Sequence, residues 1–149
     1  MPVTEKENNL SNAFNQSLVV SHKGAMVALT AAVDKALEIG VPQCIWIVDA
    51  SGETIVSLRM DGAKYLSMHT ARAKARTAAS IRNATGGMTH EFALQAGIAS
   101  SGGVTNLPGG LPIRFGGQLA GAIGVGSGTG DQDLEVARAA LAAIEADPV

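Results

Sequence analysis

A chain of 149 residues has the length of one ordinary domain and cannot fill two separate cores. Hydrophobic residues at 46% exclude a disordered chain, and a formal net charge of −2 excludes a protein that tracks nucleic-acid phosphates with a basic face. Aromatics are only 3%, so the core must be built from Ala, Val, Ile and Leu, and so thin a core favours burying more surface between copies of the chain.

Residues 1–20 read as an N-terminal arm and 21–149 as the domain. Met1 to Ser17 is polar, with Glu5, Lys6 and Glu7 and room for a helical turn around Leu10, Ala13 and Phe14. It has neither the basic start nor the apolar run of a signal peptide, and no later stretch is long enough to span a bilayer. The expected setting is therefore cytoplasmic, away from membrane.

Ser21 is placed to cap a helix from His22 to Ile39, with Met26, Leu29, Val33 and Leu37 on its apolar face. Gly40-Val41-Pro42 ends it. Gln43 to Asp49 and Glu53 to Arg59 predict two strands joined as a hairpin through Ala50-Ser51-Gly52. The single cysteine, Cys44, sits in the apolar run of the first strand and reads as a buried structural thiol. Met60-Asp61-Gly62 turns the chain into a second helix from Ala63 to Asn83, whose stripe is Leu66, Thr70, Ala73, Thr77 and Ile81. A shorter helix follows between Thr89 and Ala96, then a loop from Gly97 to Gly110 holding a short strand.

Leu111 to Phe115 and Gln118 to Val125 predict a second hairpin through Gly116-Gly117. The last helix runs from Asp131 to Glu145, with Leu134, Ala137, Leu141 and Ile144 on one face. Thr129 and Gln132 form a capping box there, and Asp131 competes as the cap. This order predicts an α+β protein, an antiparallel sheet covered by helices. The hairpins exclude an all-parallel Rossmann sheet.

Few residues offer chemistry. Arg59 carries a donor fork that suits a carboxylate or propionate, while Asp61 either caps the next helix or pairs with Arg59. Lys74 falls at the edge of the apolar stripe, where it snorkels, joins an ion pair or enters a pocket. Tyr65, His69, Arg72 and Arg76 lie on the other side of that helix, as a solvated face or an oligomer contact. His22, His69 and His90 have no metal-site spacing. Gly126 to Gly130 lacks the fingerprints of a phosphate loop, whereas Gly109-Gly110-Leu111-Pro112 lets a ligand approach backbone closely. No Ser/His/Asp constellation can be assembled, so no catalytic residue is named.

Five strings in order carry a family resemblance: Arg59-Met60-Asp61-Gly62-Ala63, Ala73-Lys74-Ala75-Arg76-Thr77-Ala78, Gly109-Gly110-Leu111-Pro112-Ile113, Gly121-Ala122-Ile123-Gly124-Val125-Gly126 and Asp131-Gln132-Asp133. From about Ser21 onward the chain resembles the GlcG/HbpS family, which includes the haem-binding HbpS proteins and the C-terminal domain of PduO. The resemblance implies a profilin-like fold with a five-stranded antiparallel sheet, homo-oligomeric assembly and, in some members, binding or degradation of haem. The expected function is that of a small-ligand-binding accessory protein of a catabolic operon, holding haem or a carboxylate-bearing small molecule. His22 is the candidate axial haem ligand. Arg59, Asp61, Lys74, Gly109, Gly110 and Pro112 are the candidate ligand-binding set, converging at one sheet edge into an anionic-ligand cleft. The alternative is a cofactor-independent catabolic enzyme for a carboxylate-bearing or aromatic substrate, with Arg59 as clamp and Lys74 or His22 as acid–base group.

Overall fold

The computed structural model describes residues 13–149, so the arm is covered only from Ala13 and the turn at Leu10 lies outside the described residues. Helix α1 (His22–Ile39) starts where the Ser21 hydroxyl accepts the Gly24 N–H at 3.0 Å, and it ends at Gly40 in the left-handed conformation. Strands β1 (Cys44–Asp49) and β2 (Thr54–Arg59) form the first hairpin. Helix α2 (Ser67–Ile81) and helix α3 (His90–Ala99, capped by Thr89) precede the second hairpin, β3 (Gly110–Phe115) and β4 (Gln118–Gly126). Both turn glycines of that hairpin, Gly116 and Gly117, have positive φ, as a two-residue hairpin turn requires. Helix α4 (Gly130–Ala143) opens on the Thr129/Gln132 capping box; Asp131 lies in its first turn.

The four strands form one antiparallel sheet in the order β2-β1-β4-β3. Helices α1 and α4 cover one face, where Ile45, Ile47, Leu111, Ile113, Ile123 and Val125 meet Leu29, Val136, Leu141 and a set of alanines. Helix α2 covers the other, with Ala75, Ala78 and Ala79 against Val48 and Ala122. No helix of the described residues is long and apolar enough to cross a membrane.

Three expectations are corrected. The sheet has four strands among the described residues, not five. The segment expected to supply another strand spends its hydrogen bonds elsewhere: Thr105 N–H donates to the Thr77 hydroxyl at 3.0 Å, and the Asn106 side chain both accepts from and donates to the Met88 backbone at 2.9 Å. Second, α2 begins at Ser67 and not Ala63, because the chain from Met60 to Leu66 forms successive tight turns, and no side chain caps the helix. Asp61 is therefore not its cap.

Third, the buried helix faces are the alanine faces. In α1, Ala25, Ala28, Ala32 and Ala36 are buried with Leu29, while Met26 and Leu37 are exposed. In α2, Ala71, Lys74, Ala75 and Ala78 face inward and Ala73 and Thr77 of the expected stripe are buried as well, while Leu66 and Ile81 are exposed. On α2, close approach decides this. A Cβ added to Gly124 of β4 would lie 2.0 Å from the Ala71 carbonyl oxygen and 2.5 Å from the Ala75 nitrogen. Backbone packs on backbone, which only small residues allow.

Candidate functional site: a buried ammonium beside the start of α4

The inward turn of α2 carries Lys74 into the protein, where the residue is only 4% exposed. Its Nζ donates to the Val125 carbonyl at 2.7 Å and to Asp133 Oδ2 at 2.8 Å. Asp133, in the first turn of α4, is equally buried, and its Oδ1 accepts the Gly128 N–H at 3.0 Å. The carboxylate thus ties three elements together: α2, the loop after β4 and the α4 N-terminus. Such a pair is favourable only because both ions are also hydrogen-bonded.

Gly109 and Gly110 complete this cluster. A Cβ on Gly109, at φ +120°, would lie 2.7 Å from the Val125 carbonyl oxygen and 3.0 Å from Lys74 Nζ; one on Gly110 would lie 2.4 Å from the Lys74 carbonyl oxygen. The glycines make room for the lysine and its helix, so Lys74, Gly109 and Gly110 do come together. Pro112 is buried within β3, in register with Ala122.

A cleft of about 200 Å³ opens onto the cluster, lined by Lys64, Ser67, Thr70, Lys74, Ser127 and Asp133 among others. An ammonium has three N–H donors and Lys74 uses two on the protein, leaving one without an acceptor among the described residues. Hydroxyls and the start of α4 add polarity that favours an anion. The volume suits a small acid and falls below the roughly 300–1,000 Å³ of clefts for drug-sized ligands. A macrocycle does not fit it.

Arg59 and Asp61 stand apart. Arg59 ends β2, one edge strand, and Gly110 begins β3, the opposite edge, so the expected convergence at one edge does not occur, although both residues belong to the α2 face of the sheet. Both Arg59 and Asp61 are exposed, and neither lines the cleft. Arg59 instead neighbours Cys44. Burial pushes the Cys44 thiol pKa up, the Arg59 guanidinium opposes this and Asp133 adds to it. As expected, the thiol is buried.

His22 is exposed at the head of α1. Met26 follows one turn later, and with Val27, Thr30, Ala31 and Asp34 it lines a mostly apolar shelf reaching Ala143 of α4. Leu18 and Val19, just before the helix, are exposed as well.

Two polar features escaped the sequence reading. Asp133 enters the sequence reading only within the string Asp131-Gln132-Asp133; its distance of 59 positions from Lys74 hides the pair. Gln43 is fully buried, with neither end of its carboxamide hydrogen-bonded among the described residues. Its Nε2 lies 2.7 Å from where a Gly128 Cβ would sit, behind the loop that borders the cleft. A glutamine at the head of an apolar strand was the available signal.

A family model described as "Haem degrading protein HbpS-like" matches residues 20–142. An uncharacterized 15.0 kDa protein from the dhaT-dhaS intergenic region of Citrobacter freundii is 36% identical over 137 residues, covering 87% of this chain and 95% of that protein. The corrinoid adenosyltransferase PduO of Citrobacter freundii is 38% identical over 121 residues, 76% of this chain but only 36% of that longer enzyme. Among solved structures, the haem complex of PduOC superposes with a TM-score of 0.81 at 30% identity, covering 88% of this chain and 99% of that one.

Proposed function

Since the chain belongs to the haem degrading protein HbpS-like family, we propose that it is a haem-binding module whose iron is held by His22. The observation that carries this is the exposed imidazole of His22 one turn before Met26, on the helix that also bears Val27 and Ala31 of the shelf. The likeness to the PduOC haem complex, which spans nearly all of that chain, supports the same reading. His22 would hold the iron that haem supplies, and Met26, Val27 and Ala31 would offer an apolar wall to the macrocycle. Titrating the protein with haemin should give a saturable Soret band, and His22→Ala should shift or abolish it. Wild-type protein without saturable haemin binding would end the haem reading and leave the fold untouched.

The module works as a homo-oligomer in a profilin-like fold. Helix α3 has no buried residue, with Phe92, Leu94 and Ile98 exposed at 58%, 69% and 80%. An apolar helix face of this kind is expected to be covered by a second copy of the chain. Light scattering at micromolar concentration should give at least twice the 15.1 kDa chain mass, and Leu94→Glu with Ile98→Glu should lower it. A wild-type monomer contradicts assembly.

A second reading rests on the free donor of Lys74. The cleft it enters has the size and polarity for one small carboxylate, so it serves binding of a catabolic acid. Arg59 and Asp61 then lie outside the binding set.

A further inference from the structure

The outer side of α2 bears His69, Arg72 and Arg76, spaced i, i+3 and i+7 and therefore on one helical face. All three are exposed, yet that face borders a groove whose far wall is the turn after α3, Ser100 to Gly103. The groove has two lobes that share Arg76, Ser100 and Gly103. One, of about 400 Å³, reaches the β1–β2 turn at Ser51 and Gly52; the other, of about 210 Å³, lies between His69, Arg72 and Ser101.

No Asp or Glu lines either lobe, and among the described residues none of the three basic side chains has a carboxylate within ion-pair distance. The Arg72 guanidinium lies over the Trp46 ring, 5.7 Å from its centroid, and makes no hydrogen bond among the described residues. Arg76 lies across Gly52, whose missing side chain leaves it space: a Cβ there would be 3.7 Å from Arg76 Nε. Ser51, Ser80 and Ser101 add hydroxyls, and Val104 is the one sizeable apolar side chain in the lining. A polar, acid-free groove of this kind does not suit a haem plane.

We infer that this groove binds a small molecule with two acidic groups, one in each lobe. Side chains four apart on a helix start about 5–6 Å from one another. Each guanidinium fork matches one carboxylate or phosphate in a two-point contact, which a solvated lysine would not provide. The site is separate from the Lys74 cleft, since Lys74 points to the inner side of α2, and from His22, which lies on a helix across the sheet. It therefore extends beyond the haem reading and does not depend on it.

Calorimetric titration with glutarate and with pyrophosphate, against acetate as the singly charged control, tests the inference. At least one bis-anion should bind saturably and at least tenfold more tightly than acetate, and which one does so identifies the acid type. Arg76→Gln should weaken that binding at least tenfold, as should Arg72→Gln, with haemin titration unchanged. Arg76 is exposed and makes no hydrogen bond among the described residues, so Arg76→Gln decides alone if loss of the Trp46 contact unfolds the Arg72 variant. The inference is overturned if neither bis-anion binds saturably, if acetate matches them, if Arg76→Gln binds as wild type does, or if Arg76→Gln instead disrupts the haemin spectrum.

Discussion

Asp133→Ala should cost about 3–5 kcal/mol of folding stability, the usual penalty for stranding a buried charge. Lys74 would keep one hydrogen bond, to Val125, but lose its counter-ion while remaining almost wholly buried. The Gly128 N–H would lose its acceptor at the same time. Denaturant unfolding should therefore show a lower midpoint with little change in slope. Replacing both ions, as Lys74→Met with Asp133→Leu, should recover most of the loss, because two apolar groups of similar volume remove the desolvation penalty. The double variant should also lose small-acid binding in the cleft while staying folded. If Asp133→Ala unfolds within about 1 kcal/mol of wild type, the pair is not the internal tie described above.

Gly124→Ala should also be severe, at about 3 kcal/mol or more, above the usual overpacking cost. The added methyl would meet the Ala71 carbonyl and the Ala75 nitrogen, and backbone atoms cannot rotate away as a side-chain tip can. Relief would require α2 to lift from β4, opening the contact with Val48 and Ala122 and displacing Lys74. Gly116→Ala offers a comparison: nothing lies within 4 Å of its added Cβ, so only the strain of positive φ remains, about 1–2 kcal/mol. A Gly124→Ala protein as stable as Gly116→Ala would refute the backbone-on-backbone packing of α2.

The contrast between these glycines shows what was legible in the sequence. Local signals carried through: the Ser21 cap, the Thr129/Gln132 capping box, the Gly40 stop and both hairpins all stand where short-range chemistry placed them. Helical periodicity found α1 and α2 and part of their inward faces, since Leu29, Ala73 and Thr77 are buried. It also put Met26, Leu37, Leu66 and Ile81 inside, because large apolar residues weigh most in such a pattern. On α2 small residues win, since Gly124 admits only an alanine face and Leu66 and Ile81 are left outside. The resemblance to the family was visible in five short strings.

The candidate site was half legible. Lys74, Gly109 and Gly110 belong together, although the glycines accommodate the lysine and do not face open space. Arg59 failed to join them because strand order is a long-range property: β1 and β4 pair in the middle, and the two hairpins put Arg59 and Gly110 on opposite edges. Asp133 and the acid-free groove along Arg72 and Arg76 depend on the same long-range assembly, and no local spacing announces either.

The most direct test of the account is a crystal structure of the haemin-loaded protein. The iron should be bonded to the His22 imidazole, with the macrocycle lying on the Met26–Val27–Ala31 shelf and both the Lys74 cleft and the Arg72–Arg76 groove free of it. Haem seated in the groove against His69, or haem with no protein ligand to its iron, would contradict the assignment of His22.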